Sequence, residues 1–547
     1  MAYRDSGDAG SREVHMREIF WALSRISFDV VVGSRNAIVT AAACRLISIT
    51  LTLPEIQSDP SPVPHWRKII DHGLKHRTTS VQEAAADAVA SFSRHLLFCI
   101  STLIRELSSS PPIIQQSLGT VLGAVDYSAH TNALPEATQC LLEFVKPSHK
   151  SPPKQNVEAR RNCYAAFSRI LSTVIGNVTQ YLTAEVVNSF YDSLLNGLND
   201  YSMDERGDVG SWIRVSCVQG LTAFSEMLIQ NANSIPALET YLPPSKLHAA
   251  ISGILKQGVE RLDNVRQESG ECIRRLLALP LPVIDGYSPW SYPGSQLLNE
   301  LFNWWVLHST EVKFKINVVT SGETPGWNEA PWLFPRALRL LEISEYRSSV
   351  LTGFVLTIGC KTDSTQRPLA TSLVSYAKSL PLSDQSAKYD VNTLIEDLIS
   401  QAKSQIMSNA IVIPILQTFN VLLEADALSR LSEDSRGLRS LEQLITLFTR
   451  NISRLKSVPR IHETMKLVVH LLPFQPLFEK CVLRLVDFLG HDFPRTDEDW
   501  QVRSNSAEFL YVFLQGTDIG RDTDEVEEML LETEWLVISA LSWQRES

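Results

Sequence analysis

No apolar run in this chain approaches the roughly 20 residues that a membrane-crossing helix needs; the longer stretches, such as Val350 to Cys360, are short and interrupted. The opening MAYRDSGDAGSRE lacks the apolar core of a secretory leader, so the expectation is a cytoplasmic protein without membrane insertion. An excess of positive charge is also missing. Lys and Arg number 50 against 61 Asp and Glu, and the formal net charge of -11 argues against bulk attraction to nucleic acid or anionic lipid. The eight cysteines, at 44, 99, 140, 163, 217, 272, 360 and 481, form no CxxC pair, which leaves zinc-ribbon and thioredoxin-type chemistry without support. Dispersed cysteines within apolar helical patterns suit a reducing compartment.

Catalytic signatures are equally scarce. A phosphate loop requires clustered glycines so that backbone N–H groups can reach the anion, and neither GxxxxGK[ST] nor a strand-linked GxGxxG occurs. His462-Glu463 lacks the second histidine one turn later that would complete a zinc pair, and it is expected to be surface charge. There is no GxSxG nucleophile elbow. The acidic clusters Asp497-Glu498-Asp499 and Asp522 to Glu528 lack the alternating oxygen ligands and central glycine of an EF-hand loop. The expectation is therefore no enzyme, no catalytic residue, no metal site and no cofactor.

What the chain does contain is helical periodicity over most of its 547 residues, with 44% hydrophobic and 20% charged residues. Such a length exceeds one ordinary core, so the chain is several domains or a solenoid whose units pack only on their neighbours. The expected fold is all-α, a HEAT/armadillo-like α-solenoid of stacked antiparallel helix pairs. Residues 1–145 read as helical repeats and 146–156, KPSHKSPPKQN, as a flexible linker loop. Ser148 or Ser151 could carry a phosphate there, although an ordinary inter-repeat loop is the simpler reading. Residues 157–279 read as HEAT-like repeats, 280–335 as a Pro/Trp-rich irregular segment, and 336–547 as C-terminal repeats. Single helices are expected at Ser80 to Ile104 and Glu525 to Leu541, with Pro381, Pro414, Pro459, Pro473 and Pro494 as punctuation.

Six windows share one pattern: an apolar residue, usually followed by arginine, a small side chain four positions on and a larger apolar one at eight. They are Val81-Gln82 with Ala85 and Val89; Ala159-Arg160 with Cys163 and Phe167; Ile213-Arg214 with Cys217 and Leu221; Val265-Arg266 with Ser269 and Ile273; Tyr346-Arg347 with Val350 and Phe354; and Val502-Arg503 with Ser506 and Leu510. Three of their five separations lie near multiples of about 39 residues, the HEAT or armadillo period.

The stretch Asp204 to Arg214, DERGDVGSWIR, stands apart from the other windows by its lead-in. Arg206-Gly207 reads as a tight connection and Asp208 as the N-cap of a helix whose stripe carries Val209, Trp212, Ile213 and Cys217. Asp204-x-Arg206-Gly207 is expected to fix an unusual turn, Arg206 bonding an acidic group or a terminal carbonyl. The candidate residues are Asp204, Arg206, Gly207, Asp208, Gly210, Trp212 and Arg214, as a signature turn or partner contact. Trp304, Trp305, Trp327 and Trp332 form a candidate aromatic surface, with burial against the solenoid flank as the competing reading.

These residues carry a resemblance. DERGDVGSWIRVSCVQGL, Asp204 to Leu221, closely resembles the RGDVG-x-W-(V/I)-R signature of the tubulin-folding cofactor D family, and LFPRALRLLEISEYRSSVLTGFVLTIG, Leu333 to Gly359, resembles that family's FPR…LL…YR-x-x-V-L-x-G segment. Family members are about twice this length, and the similarity is to their C-terminal half. The resemblance implies a HEAT-type, non-enzymatic cofactor that captures β-tubulin and works with tubulin cofactors E and C and an Arf-like small GTPase. Together they assemble or take apart αβ-tubulin dimers, GTP hydrolysis occurring on tubulin and the small GTPase. It also implies a cytoplasmic, cytoskeleton-associated protein. Another HEAT adaptor, of transport or phosphatase type, and an α-helical enzyme are the alternatives.

Overall fold

The computed structural model describes residues 18, 28–52, 63–93, 99–146, 156–284, 286–302, 326–382, 389–450, 455–489, 499–516 and 523–533. Almost all regular structure in them is helical, and the one strand pair joins Met203–Asp204 to Gly207–Asp208. The chain divides into two compact units, Met1–Ile254 with Glu271–Tyr292, and Leu255–Gly270 with Pro293–Ser547.

In the first unit, helices Ala37–Leu51, Thr79–Phe92, Pro112–Ala124, Val157–Val174 and Gly210–Gln230 pack side by side in chain order. The intervening helices Val63–Leu74, Ile100–Ser108, Leu134–Val145 and Ala184–Gly197 form the second layer. This is the stacked-pair architecture of an α-solenoid, in which each repeat buries its apolar face on the next. Polar caps set where helices begin: Asn36 accepts from the N–H of Ile38 at 2.9 Å and Asn156 from that of Glu158 at 2.8 Å. A close backbone approach joins Pro112–Ala124 to Val157–Val174. A Cβ built on Gly119 would lie 2.4 Å from the backbone nitrogen of Cys163, so only glycine permits this spacing.

The second unit repeats the scheme with Ser344–Ile358, Asn409–Glu424, Val458–Leu471 and Asp499–Gly516 in one row. Asp363–Ser379, Val391–Ser404, Ser435–Phe448 and Phe478–Leu489 pack beside them.

The six windows are the internal ruler of these rows. Val81, Ala85 and Val89 are fully buried, as are Ala159, Cys163 and Phe167, and Ile213, Cys217 and Leu221. Val265, Ser269 and Ile273, and Tyr346, Val350 and Phe354, are buried in the same way. In three of the windows the polar residue after the first apolar one reaches back six residues and ties down the turn that enters the helix: Gln82 donates to the carbonyl of His76 at 2.7 Å, Arg266 to that of Glu260 at 2.8 Å and Arg347 to that of Leu341 at 2.7 Å. A buried turn carbonyl needs such a partner. In the sixth window Ser506 is buried and donates to the carbonyl of Leu485, while Val502 lies outside the described side chains.

Several expectations change. The single helix expected over Ser80 to Ile104 is two, Thr79–Phe92 and Ile100–Ser108, the first closing where the Ser93 N–H returns to the carbonyl of Val89. Pro414 does not punctuate; it lies inside Asn409–Glu424. The last described helix is Asp524–Glu532, closed by the Thr533 cap, and residues 534–541 of the expected helix lie outside the described residues. His462 and Glu463 are half-buried on Val458–Leu471 rather than free surface charge. Of the cysteines, six are buried, Cys140 is half-buried and Cys99 is exposed. Ser148 and Ser151 lie outside the described residues. Among the described residues no helix is long and apolar enough to cross a membrane.

Candidate partner-binding site

The signature stretch folds as a miniature hairpin, with Met203 opposite Asp208 and Asp204 opposite Gly207. Its reversal requires a residue at φ +101°, which Gly207 supplies without a Cβ penalty. The Asp204 carboxylate accepts from the Arg206 backbone N–H at 2.8 Å and from its guanidinium Nη2 at 2.7 Å. The same guanidinium donates to Glu158 Oε1 at 2.6 Å and its Cζ stands 4.8 Å from the ring centroid of Trp212. Those hydrogen bonds from Arg206 hold the Asp204 carboxyl below its ordinary range, and Asp204 and then Glu158 raise the guanidinium. Half of the Arg206 side chain remains exposed.

Asp208 does not cap the following helix. The helix is Gly210–Gln230 with Val209 at its N-cap position, and the Asp208 carboxylate turns inward to take both terminal nitrogens of Arg214, at 3.1 and 2.9 Å. Arg214 is fully buried, donates to the carbonyl of Asp200 at 2.7 Å and stacks over Tyr201 with Cζ 4.4 Å from the ring centroid. The Asp200 carboxylate in turn accepts from Arg160 of the preceding repeat. Gly210 lies under this loop; a Cβ there would fall 2.4 Å from the Asp200 carbonyl oxygen. Gly207, Asp208, Gly210 and Arg214 thus build the turn, whereas Arg206 and Trp212 face outward from it.

Trp212 lines an open cleft of about 440 Å³ crossing four consecutive helices of the first row. One wall carries Arg161, Asn162 and Arg169 from Val157–Val174; the other carries Glu83 and Asp87 from Thr79–Phe92. The Arg161 guanidinium donates to Asn162 Oδ1 at 2.9 and 3.1 Å, and among the described residues neither Arg161 nor Arg169 makes an ion pair. The cleft therefore presents the Trp212 indole and two guanidinium groups, across from the carboxylates of Glu83 and Asp87. Sequence reasoning missed Arg161, Asn162 and Arg169. Their only signal was position on the polar side of a helix with an apolar stripe, which every surface residue shares.

The candidate aromatic surface separates into different environments. Trp327 is only 8% exposed; Gly258 and Gly270 leave room for its ring, and its carbonyl accepts from Arg266 Nε at 3.2 Å. Trp327 is core rather than platform. Trp332 is half-buried beneath Arg336, whose Cζ stands 4.7 Å from the ring centroid. Trp304 and Trp305 lie outside the described residues. Among the described residues no three His, Cys, Asp or Glu side chains come together to hold a metal.

Residues 248–460 match the family model for the tubulin folding cofactor D C terminal. Over that segment, less than half of its length, the chain is similar to the tubulin-folding cofactor D family. The matched segment contains the Leu333 to Gly359 stretch, while the hairpin and its cleft precede it. Tubulin-specific chaperone D of Dictyostelium discoideum is 25% identical over 171 residues, an alignment covering 29% of this chain and 10% of that protein. The chain therefore aligns with a small part of that relative's length. Among solved structures, Kap95p in a study of RanGDP has 11% identity and a TM-score of 0.36, covering 99% of this chain and 65% of that one. Importin beta in an ammonium sulfate condition has 12% identity and a TM-score of 0.30, covering 97% and 76%. Neither adds to what the helices show by themselves.

Proposed function

We propose that the chain is a non-enzymatic scaffold that holds β-tubulin and partner cofactors while αβ-tubulin dimers are assembled or taken apart. The family match over residues 248–460 carries this reading. Cofactors E and C and an Arf-like small GTPase are the proposed partners, and GTP hydrolysis takes place on tubulin and the GTPase. The proposed site of action is the cytoplasm, in association with the cytoskeleton.

A row of stacked helices works by differential binding: a surface that fits one state of a partner better than another shifts the partner toward that state. The net charge of -11 gives no bulk attraction to acidic tubulin. Affinity then depends on local features such as Trp212 with Arg161, Arg169 and Arg206, where an aromatic anchor and guanidinium groups supply hot-spot contacts. Size-exclusion chromatography of the purified chain with αβ-tubulin, cofactor E and the GTPase tests the reading. Co-elution with at least one is expected, and independent migration of all of them would refute it for this chain.

A further inference from the structure

A cleft of about 420 Å³ lies within the second unit, between Asn409–Glu424, Val458–Leu471 and Asp499–Gly516. Its lining is rich in acceptors and contains a buried polar group with half its capacity unused. Asn420 is 6% exposed; its amide nitrogen donates to the Glu463 carbonyl at 3.1 Å and to Glu463 Oε2 at 2.8 Å. Those two acceptors fix which way the amide points, because the reverse orientation would set oxygen against oxygen. The Asn420 Oδ1 is left buried with no hydrogen-bond partner, and Gln417 Oε1, one turn earlier on the same helix, is in the same condition. An unmet buried carbonyl oxygen costs about 1–3 kcal/mol; both oxygens are also closed to solvent, so a donor entering the cleft reaches them as the side chains covering them shift.

The charges agree. Glu424 and Glu463 contribute two carboxylates against the single ammonium of Lys466, which stands 3.7 Å from Glu463 Oε1, beyond hydrogen-bond distance. Burial pushes the His470 imidazole below its ordinary value, so it adds no cation at neutral pH. Phe509, Val421 and Val469 provide apolar wall beside the acceptors. A metal ion does not suit the cleft, since no group of three ligating side chains comes together among the described residues.

We propose that this cleft receives an arginine side chain from a segment of a partner protein, its guanidinium donating to Glu463, Asn420 and Gln417 while its stem packs beside Phe509. Arginine fits better than lysine because a planar fork with five N–H donors can serve several fixed acceptors at once, whereas an ammonium has three on one atom. The bound guanidinium displaces Lys466 from its loose pairing with Glu463. The proposal concerns a different surface from the Trp212 cleft and does not depend on which partner the chain serves.

The test uses the whole chain and ligand-observed NMR with three pentapeptides, Gly-Gly-Xaa-Gly-Gly, in which Xaa is arginine, citrulline or lysine, and with guanidinium chloride alone. The arginine peptide is expected to bind at least about tenfold more tightly than citrulline, which has the same shape without the charge. Glu463→Gln should weaken it by about tenfold, and Glu424→Gln, at the exposed rim, provides the same reading should the first variant fold poorly. Equal binding of arginine and citrulline peptides, or no binding of either, would overturn the proposal. So would unchanged affinity in a folded Glu463→Gln or Glu424→Gln variant. Guanidinium binding as tightly as the peptide would remove the protein-segment part and with it the proposal as stated.

Discussion

Asp208 and Arg214, six residues apart, face each other across the start of a helix with both guanidinium nitrogens on one carboxylate, and the arginine has no exposure to solvent. The pair joins three pieces: the hairpin holds Asp208, the helix holds Arg214, and Arg214 carries the Asp200 loop through its carbonyl. Removing one partner of a buried pair leaves the other charge unmet, at a cost of about 3–5 kcal/mol. Arg214→Ala should lower the denaturation midpoint by a corresponding amount in urea. A variant with the parent midpoint would show that the pair is not holding the turn.

The backbone contact at Gly119 makes a second prediction. Gly119→Ala forces Pro112–Ala124 and Val157–Val174 apart and should destabilise by about 1–3 kcal/mol, the range for overpacking. Gly176→Ala is its control, because nothing lies within 4 Å of a Cβ there. Equal midpoints for the two variants would mean that the helices yield at no cost.

Arg206 tests the outer face of the signature. Its contacts with Asp204, Glu158 and Trp212 are exposed, so Arg206→Ala should leave the global unfolding midpoint almost unchanged. Amide hydrogen exchange across residues 203–208 should rise, and co-elution with a tubulin-cofactor partner should weaken. If neither exchange nor co-elution moved, Arg206 would have no part in the turn or the partner contact.

Thiol chemistry distinguishes one cysteine. Hydrogen bonding from Thr102 pulls the exposed Cys99 thiol below its ordinary value, while burial raises Cys44 and Cys481 to about 12 and Cys163 and Cys217 well above their ordinary value. The thiolate is the nucleophile, so a maleimide pulse on the native protein should label Cys99 first, at a rate that rises with pH as its thiolate fraction grows. Peptide mass spectrometry reads the site. Equal early labelling at Cys163 or Cys217 would contradict the packing of the first row.

The legibility of each element follows from the range of the interactions that fix it. The window from Ile213 to Leu221 was readable because positions zero, four and eight return to one side of a helix, and that side is buried. Trp212 was assigned to the same stripe and does not belong there: consecutive helical residues diverge by about 100°, so Ile213 inside leaves Trp212 on the cleft. Asp208 had the composition and place of an N-cap, but the buried guanidinium of Arg214 is a stronger claim on a carboxylate than an exposed helix N–H. The Trp-rich segment gave no means of separating buried Trp327 from half-buried Trp332, because glycine clearance at Gly258 and Gly270 decides it.

By itself the sequence determined the helical repeats, the turn at Gly207 and the resemblance to the cofactor D family, all of them local patterns of side-chain size, polarity and spacing. Only the tertiary structure decided which polar residues share a surface. Arg161, Arg169 and Trp212 come together with Glu83 because four helices, distant in sequence, are stacked in register. In the other cleft, Asn420 and Glu463 meet across two helices and leave an amide oxygen unmet. Helix-to-helix packing, governed by close approaches such as Gly119 on Cys163, sets those neighbours, and no local pattern encodes them.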